Sequence, residues 1–256
     1  MNRDVPAFTM AEFRPRATRY CVCIPVLNEN GRLAAQLERM APFASAADIV
    51  VADGGSTDGS VARERLAPAN VRALLVKTGP GKLGAQLRMA FAWALRQGYE
   101  GVITIDGNDK DDPAALPLFM QALDDGFDHV QGSRFIAGGR AVRTPPLRWL
   151  GVRLLHAPLI SFTAGFRYTD TTNGFRAYSR RFLEDPRVAV FREALSGYEL
   201  HYYLAIRAAR LEFRVKEVPV TREYPVGKPP TKISGWRANA GILSTLWKTV
   251  LGRYDA

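Results

Sequence analysis

The first half of the chain alternates short apolar runs, rich in β-branched residues, with longer segments in which apolar positions recur at helical spacing. The clearest helical pattern lies between residues 82 and 96, and others cover 31–40, about 58–66 and the stretch that begins at Pro113. The apolar runs predict strands at residues 20–26, 48–53, 71–76 and 101–106. Strands that alternate with helices predict an α/β fold with a mostly parallel central sheet flanked by helices.

Polar residues cluster directly after each of these predicted strands. The clusters are residues 28–29, 53–58, 79–82 and 106–112. In parallel sheets covered by helices, ligands bind beyond the carboxyl ends of the strands. These four segments are therefore the candidate site.

The second half has a less regular pattern. It predicts a basic loop at 138–146, a helix at 147–162, a turn-rich segment at 169–175, a helix at 198–210, a strand at 213–220, a basic loop at 225–235 and helical spacing from 242 to 254. No repeat or low-complexity linker divides the chain, so we expect one domain over residues 1–256. The longest uncharged apolar stretch, 154–166, has 13 residues. A membrane-spanning helix needs about 20.

Charge is unevenly distributed along the chain. There are 35 basic and 25 acidic residues, which gives a formal net charge of +10. Residues 1–130 carry 14 basic and 16 acidic side chains, whereas residues 131–256 carry 21 basic and 9 acidic ones. A basic protein is expected to bind nucleic acid, an anionic membrane or a phosphate-bearing substrate. The two halves therefore have different electrostatic roles.

The cysteines and the N-terminus bear on the compartment. Cys21 and Cys23 lie two residues apart in a predicted strand, which is unsuited to an ordinary disulfide. Residues 1–19 carry scattered charges and no apolar core of a secretory signal. Both features predict a cytoplasmic protein.

The densest acidic run, Asp106-Gly-Asn-Asp-Lys-Asp-Asp112, follows the fourth predicted strand. One interpretation is a solvated loop that caps the next helix. A calcium hand fits poorly, because Asp111 stands where that loop needs glycine and Pro117 where it needs glutamate. A divalent cation shared with substrate phosphates needs only one or two carboxylates, which Asp106 at a strand end can provide.

Two turns and a glycine-rich segment offer further binding groups. Asp53-Gly-Gly-Ser-Thr-Asp58 can cap a helix, and an aspartate at a strand end can also accept hydrogen bonds from a nucleobase or a ribose. Asn28 and Glu29 make the same groups available after the first strand. The segment from Gly79 to Lys82 resembles a phosphate-binding turn, but it does not have P-loop spacing.

Six motifs occur together in a characteristic order. They are Pro25-x-x-Asn-Glu29, Asp53-Gly-Gly-Ser-Thr-Asp58-Gly, the acidic run from Asp106, Gly132-Ser-Arg134-Phe135, Asp170-Thr-Thr-Asn-Gly-Phe-Arg-Ala-Tyr178 and Thr231-Lys-Ile-Ser234. In this combination the chain resembles the inverting nucleotide-sugar glycosyltransferases of family two, which have the GT-A fold. Among them it is most similar to the dolichyl-phosphate mannose synthase group. The resemblance implies a nucleotide-sugar-binding half at 1–130 and an acceptor-binding half at 131–256.

The resemblance assigns donor-binding residues. It implies a nucleotide-sugar site formed by Pro25, Asn28, Glu29, Asp53, Lys82, Arg88 and Asp106. Asp106 matches the first aspartate of the family's D-x-D motif, which binds a divalent metal, Mn²⁺ or Mg²⁺, and the donor diphosphate. The second position departs from that motif, because Asn108 offers a neutral amide oxygen. The resemblance implies metal binding by Asp106 and Asn108, with Asp109 or Asp111 as alternative ligands and Lys110 as an alternative cation.

The resemblance also assigns the reacting and acceptor-binding groups. The implied catalytic residues are Asp106, Asn108, Asp109 and Arg134. Departure of a nucleoside diphosphate builds negative charge, which a divalent cation and basic side chains stabilise. A lipid phosphate is already ionised and needs positioning, whereas a saccharide hydroxyl would need a base such as Asp170 or Glu199. The implied acceptor-binding residues are Arg134, Arg140, Arg143, Asn173, Arg176, Glu199 and Lys232.

The implied activity is transfer of a sugar, with inversion, to a polyprenyl phosphate at the cytoplasmic face of a membrane. Transfer to a saccharide hydroxyl in cell-surface polysaccharide or glycolipid synthesis is the nearest alternative. A nucleotidyltransferase, which would release pyrophosphate, is a more distant one. Nucleic acid is not an expected partner, because half of the chain is mildly acidic. The apolar faces at 147–162 and 242–254 either pack on the core or contact a bilayer, where Trp149, Trp247, Arg148 and Lys248 would suit the interface.

Overall fold

The structure, a computed structural model, describes residues 4–226 and 235–255, with side chains from residue 240 onward in the second range. Strands take up ten segments of this described part. They are β1 (Phe8–Glu12), β2 (Tyr20–Val26), β3 (Asp48–Asp53), β4 (Val71–Lys77), β5 (Gly101–Thr104), β6 (His129–Ser133), β7 (Arg140–Val142), β8 (Arg176–Ser179), β9 (Val215–Pro219) and β10 (Thr221–Glu223).

Helices connect most of these strands. They are α1 (Gly31–Met40), α2 (Arg63–Leu66), α3 (Leu83–Arg96), α4 (Leu116–Asp124), α5 (Pro146–Gly151), α6 (Ala157–Ala164), α7 (Arg180–Glu184), α8 (Glu199–Arg210) and α9 (Gly235–Val250). Short 3₁₀ turns lie at Ala41–Phe43 and Pro113–Ala115. A π-helical turn, Val152–His156, joins α5 to α6 in one continuous helical segment.

Eight of the strands form one sheet in the order β1-β4-β3-β2-β5-β8-β6-β9. The pairs among β2, β3, β4 and β5 are parallel, as is the pair β6 with β9. Strand β8 is antiparallel to both β5 and β6, and β1 is an antiparallel edge strand. The α/β fold with a mostly parallel sheet is thus confirmed, and the sheet contains strands from both halves of the chain.

An apolar core covers each face of this sheet. One face packs against α1 and α4 through residues such as Leu33 and Phe119, and the other against α3 and α8 through Leu87 and Tyr203. Every residue of α3 from Gly84 to Leu95 is buried. A third cluster joins α6, α8 and α9. These layers fix the carboxyl ends of β2, β3 and β5, where the polar segments lie.

Several elements differ from those predicted. Helix α2 begins at Arg63 rather than near residue 58, because the Asp58 carboxylate accepts hydrogen bonds from Ser60 and from the backbone of Asn30 and so closes a turn. Strand β5 ends at Thr104, and β7 lies inside the predicted loop at 138–146. Strands β1, β6 and β8 were not predicted. Most of the predicted loop at 225–235 lies outside the described residues.

The sequence predicts no membrane-spanning helix, because its longest uncharged apolar stretch has 13 residues. Within residues 4–226 and 235–255, none of the helices combines the length and the apolar character needed to cross a bilayer.

Candidate active site

Asp106 lies two residues beyond the carboxyl end of β5, next to a cleft lined in part by Asn108, Lys110 and Arg143. Its Oδ2 accepts hydrogen bonds from Asn108 Nδ2 at 3.3 Å and from Arg222 Nη2 at 3.0 Å. The backbone of Gly174 approaches the carboxylate so closely that a Cβ there would lie 2.5 Å from Oδ1. Any larger residue at position 174 would therefore force the Asp106 carboxylate to shift.

Asn108 and Asp111 lie on the inner side of the acidic loop 106–112. The Oδ1 atom of Asn108 is buried and has no hydrogen-bond partner in the described part of the chain. Asp111 is fully buried and forms an ion pair with Arg222. Burial raises the pKa of Asp111 to about 6, although the Arg222 charge acts in the opposite direction. Asp106, Asn108, Asp111 and Arg222 thus form one polar cluster.

Asp109 points toward helix α1 instead of joining this cluster. Its Oδ1 lies 2.9 Å from Arg39 Nη1, and the second Arg39 nitrogen lies 3.2 Å from Asp112 Oδ1. Asp109 has a positive φ of 56°, an uncommon conformation for a residue with a side chain. Arg39 therefore holds the outer side of the loop, and it is a residue that sequence reasoning missed.

The residues predicted to bind the nucleoside lie in two loops that are joined by hydrogen bonds. The buried Asp53 carboxylate accepts hydrogen bonds from the Gly55 and Ser56 backbone and from the Ser56 hydroxyl. Asn28 donates its backbone N–H to the Ser56 hydroxyl and accepts from the Thr57 backbone. The two loops after β2 and β3 are therefore locked together.

Glu29 and Pro25 complete this side of the cleft. Glu29 is buried and pairs with Arg32 at 2.9 Å, within the first turn of α1. Pro25 is half-buried near the end of β2. These residues lie together with Asn28 and Asp53, as the sequence predicts, at the carboxyl ends of neighbouring strands.

Gln86 is a second residue that sequence reasoning missed. It lies on α3, and its Nε2 donates to the carbonyls of Val26 and Ala52, at 2.8 and 3.1 Å. These carbonyls are at the ends of β2 and β3, so the Gln86 amide connects the two strands from the face of the sheet that α3 covers. A glutamine on a helix that is otherwise almost wholly apolar was the available signal.

Lys82 and Arg88 have different environments although both were assigned to the donor. Lys82 is exposed at the start of α3, where its backbone N–H donates to Ser196 O at 3.0 Å. Arg88 is buried and donates to the carbonyls of Leu195 and Asp4. The guanidinium of Arg88 therefore holds two loop segments to α3.

Arg134 is held inside the second half of the chain. Its guanidinium makes two hydrogen bonds to Asp170 and one to Thr172 Oγ1. Both partners of the ion pair are almost fully buried. Asp170 is thus the counter-charge of Arg134, and both of its oxygens are occupied.

Arg176 and Asn173 shape the segment that approaches Asp106. Arg176 is buried and donates to three backbone carbonyls, those of Asn173, Thr171 and His201. Asn173 Oδ1 accepts from the Phe175 backbone. Arg176 therefore acts inside the protein as a positioning residue of this segment, not as an exposed cation.

The remaining acceptor-side residues are spread over three places. Arg140 and Arg143 are exposed on or next to β7, where Arg143 donates to Glu223 and to the Tyr224 carbonyl. Glu199 opens α8, and its carboxylate accepts from the Gly197 backbone. Lys232 lies outside the described residues, together with the motif at 231–234.

Three cationic side chains lie around the ring of Tyr224, next to the acidic loop. Lys110 Nζ lies 5.1 Å from its ring centroid, and the Arg148 and Arg222 guanidinium carbons lie at 5.9 and 6.0 Å. Arg148 also donates to the Tyr224 hydroxyl at 3.0 Å. Burial alone would raise the pKa of Tyr224, but the charges of Arg222 and Arg148 outweigh it and lower the pKa. This cluster (Lys110, Arg148, Arg222 and Tyr224), which we call the cationic cluster, suits an anionic ligand.

An apolar surface adjoins the cationic cluster on the segment 146–164. Its exposed side chains are Leu147, Leu150, Leu154 and Phe162, with exposures of 84%, 43%, 71% and 89%. Other residues of the segment, Val152, Ala157 and Ile160 among them, are buried. Packing on the core is therefore found for one face of this segment, and the other face is exposed. No aspartate or glutamate occurs between Asp128 and Asp170, a stretch with six arginines.

Residues 21–186 match the family model described as Glycosyl transferase family 2. The chain belongs to this family. It is 32% identical over 251 residues to the polyprenol monophosphomannose synthase of Mycolicibacterium smegmatis, an alignment that covers 96% of this chain and 92% of that protein. It is 31% identical over 239 residues to the undecaprenyl-phosphate mannosyltransferase of Micrococcus luteus, covering 90% of this chain and 93% of that one.

Solved structures share the fold of this family 2 enzyme. The glucosyl-3-phosphoglycerate synthase of Mycobacterium tuberculosis, in complex with Mn²⁺, UDP and glucosyl-3-phosphoglycerate, superposes with a TM-score of 0.60 at 18% identity. The match covers 91% of this chain and 78% of that one, and the same enzyme with Mg²⁺ and UDP also scores 0.60. The predicted GT-A fold and nucleotide-sugar glycosyltransferase activity are therefore confirmed, and a nucleotidyltransferase is not supported.

Proposed function

We propose that this family 2 glycosyltransferase moves a hexose from a nucleoside-diphosphate donor to a polyprenyl phosphate, with inversion, at a membrane surface. Two relatives that align over at least 90% of the chain are named for mannosyl transfer to polyprenyl phosphates. Mannose is accordingly the first sugar to test. The buried thiols of Cys21 and Cys23 support a reducing, cytoplasmic side for the reaction.

The observation that carries the proposal is the contrast between carboxylates and cations beside Asp106. A hydroxyl acceptor needs a base, but Asp170 is occupied by Arg134 and Glu199 accepts from its own turn. A phosphate monoester needs cations, and the cationic cluster places Lys110, Arg148 and Arg222 around one tyrosine ring. This arrangement favours an acceptor that arrives already ionised.

A divalent cation fits the residues at the edge of the cleft. Asp106 provides a partly exposed carboxylate, and Asn108 Oδ1 is a buried oxygen without a partner among the described residues. Mg²⁺ is commonly held by one or two protein oxygens together with substrate phosphates and water. Within the described residues, three or more His, Cys, Asp or Glu side chains never converge in a group able to hold a metal. We therefore propose that Asp106 and Asn108 hold the cation jointly with the donor diphosphate.

Each side of the cleft has its own task in the transfer. A divalent cation, when bound, would stabilise the charge that develops on the leaving diphosphate. The locked loops with Asn28, Glu29 and Asp53 hold the nucleoside, and Asp106 orients the diphosphate. On the other side, the cationic cluster orients the acceptor phosphate for attack at the anomeric carbon, opposite the leaving group. Such positioning alone accelerates a two-substrate reaction strongly.

A polyprenyl chain requires contact with a bilayer, and the exposed face of segment 146–164 can provide it. Leu147, Leu154 and Phe162 are all more than two-thirds exposed. Arg148 and Arg153 lie on the same segment, which contains no acidic residue. An apolar face flanked by arginines is typical of helices that lie in the surface of an anionic membrane. This face adjoins the cationic cluster through Arg148, so a bound lipid would present its phosphate to the cleft.

The proposal can be tested with purified protein and defined acceptors. GDP-mannose and UDP-glucose are incubated with undecaprenyl phosphate in detergent and, in parallel, with a mannose oligosaccharide, with Mn²⁺ or Mg²⁺ and with EDTA. We expect metal-dependent transfer to the lipid phosphate and a β-linked product from an α-linked donor. Transfer only to the oligosaccharide would overturn the lipid assignment, and full activity in EDTA would overturn the metal assignment.

A further inference from the structure

Arg222 joins two carboxylates of the acidic loop, one facing the cleft and one inside the protein. Its Nη2 lies 3.0 Å from Asp106 Oδ2, and its Nη1 donates to Asp111 Oδ2. Side-chain exposure is 27% for Asp106, 9% for Arg222 and 0% for Asp111. One arm of the guanidinium is therefore anchored in the interior, and the other reaches the residue proposed to bind metal.

The backbone fixes Arg222 in this place. Strand β10 pairs with the acidic loop through the bridge between Asp111 and Arg222. Glu223 N donates to Lys110 O at 2.7 Å, and Asp112 N donates to Thr221 O at 2.9 Å. While these bonds persist, Arg222 cannot leave the loop, and only its contact with Asp106 can be exchanged.

Arg222 and Asn108 compete with a cation for one oxygen of Asp106. Asp106 Oδ2 accepts from both Arg222 and Asn108, and Asn108 uses its amide nitrogen to do so. The amide oxygen, which is the atom that could bind a metal, remains buried and unpartnered among the described residues. A divalent cation that binds Asp106 Oδ2 competes with the guanidinium for this atom, because two cations on one carboxylate oxygen repel each other strongly.

We propose that Arg222 is the resident counter-cation of Asp106 and offsets its charge until donor and metal arrive together. The inference rests on the proposed function and extends it to the order in which ligands bind. When the diphosphate enters with its cation, Asp106 exchanges partners. Arg222, still held by Asp111, then keeps its place in the cationic cluster, between the donor diphosphate and the acceptor phosphate. The enzyme without nucleotide then binds bare metal weakly, and metal and nucleotide each strengthen the binding of the other.

The first test measures this mutual strengthening on the wild-type protein. Free Mn²⁺ is followed by electron paramagnetic resonance during titration of the protein alone and with saturating GDP or UDP. We expect Mn²⁺ to bind at least fivefold more tightly with the preferred nucleotide, the lower end of usual coupling between two ligands. Equal Mn²⁺ affinity with and without either nucleotide would overturn the proposal.

The second test removes the counter-cation without changing the combined net charge of Arg222 and the acidic loop. The double variant Asp111→Asn with Arg222→Gln loses one positive and one negative charge, so any change in affinity reflects the freed Asp106. We expect it to bind bare Mn²⁺ about tenfold more tightly than wild type. The control is Arg19→Gln with Glu100→Gln, an exposed ion pair far from the acidic loop, which should leave the Mn²⁺ affinity unchanged.

Circular dichroism and a cooperative melting curve establish that the double variant is folded. Unchanged or weaker binding of bare Mn²⁺ by the folded double variant contradicts the proposal. If it does not fold, the wild-type titration decides. Neither measurement involves an acceptor or turnover, so these results are separable from failure of the lipid-phosphate assignment.

Discussion

Arg134 and Asp170 form a two-point ion pair inside the protein, with Nε 2.6 Å from Oδ2 and Nη2 2.9 Å from Oδ1. Asp170 belongs to the segment that carries Gly174, and Arg134 follows β6. The pair therefore holds the end of β6 against the segment that contacts Asp106. A planar guanidinium suits this geometry, and lysine could not reproduce both bonds.

Replacing Asp170 by asparagine should destabilise the protein strongly, because the Arg134 charge would remain buried without its partner. Loss of one member of a buried pair costs about 3–5 kcal/mol. We expect the free energy of unfolding in urea to fall by that amount. Asp124→Asn is the matched control, since its partner Arg19 is 61% exposed, and its effect should be much smaller. Equal effects of the two substitutions would contradict a structural role for the Arg134–Asp170 pair.

Replacing Asp106 by asparagine should nearly abolish transfer while leaving the protein folded. The amide keeps the shape of the side chain but loses the negative charge that we assign to the metal and the diphosphate. We expect kcat to fall by about 10²–10³-fold, a typical cost of removing one electrostatic group from an active site. Activity above a tenth of wild type, in protein with a normal circular dichroism spectrum, would remove Asp106 from the site.

Replacing Arg39 by alanine should weaken metal binding from outside the cleft. Arg39 fixes the acidic loop through Asp109 and Asp112, and loss of such supporting contacts reduces metal affinity by roughly tenfold or more. We expect a higher Mn²⁺ requirement for nucleotide binding, with kcat at saturating Mn²⁺ little changed. Arg39→Lys should restore part of the affinity. A fall in kcat with an unchanged Mn²⁺ requirement would show a different role for Arg39.

Replacing Leu147, Leu154 and Phe162 together by serine should reduce binding to anionic lipid vesicles. Burial of a large apolar side chain contributes about 1.5–3 kcal/mol, so loss of three partly inserted ones should lower partitioning by more than tenfold. Sedimentation with phosphatidylglycerol vesicles measures this. Leu118→Ser, on α4 and 43% exposed, is the control and should bind as wild type does. Wild-type partitioning of the triple variant would mean that this face does not contact the bilayer.

The buried histidines should make the protein less stable in mild acid. Burial, together with the charges of Arg176 and His201, holds the pKa of His129 well below its usual 6.5. His129 is then neutral when folded but takes up a proton in the unfolded chain below pH 6.5. Its contribution therefore falls with decreasing pH, by about 1.4 kcal/mol per pH unit below 6.5.

The variant His129→Gln isolates this contribution. Asp111, whose pKa is raised to about 6, acts in the opposite direction, because the folded protein takes up that proton first. The comparison between wild type and variant cancels the Asp111 contribution. Urea unfolding at several values between pH 6.5 and 5 should give a steeper loss of stability in wild type. Equal slopes would mean that His129 is protonated in the folded protein.

The sequence predicted the parallel part of the sheet well, because β2, β3 and β4 are continuous apolar runs between clear turns. It missed β8, the four residues Arg176–Ser179, whose pairing partners β5 and β6 are distant along the chain. So short a segment has no periodicity of its own, and only the neighbouring strands make it extended. Strand β1 was missed because it is an edge strand with an irregular pattern.

The sequence predicted which segments meet at the site but not what each side chain does there. Arg140 and Arg176 are the same residue type in the sequence. In the structure Arg140 is exposed, whereas Arg176 donates to three carbonyls in the interior. Whether an arginine is free to bind a ligand depends on partners that fold next to it. For the same reason Arg39, which lies outside the motifs, was recognised only through its contacts.

Strand β10 is hydrogen-bonded along both edges, to parts of the chain that we assign to different substrates. On one edge it pairs with β7, next to the exposed Arg143, and on the other with the acidic loop around Asp111. Displacing β7 therefore requires either breaking the hydrogen bonds of β10 or carrying the acidic loop with it. Under the proposed function, an acceptor that shifts β7 therefore also shifts the acidic loop, which we assign to the donor.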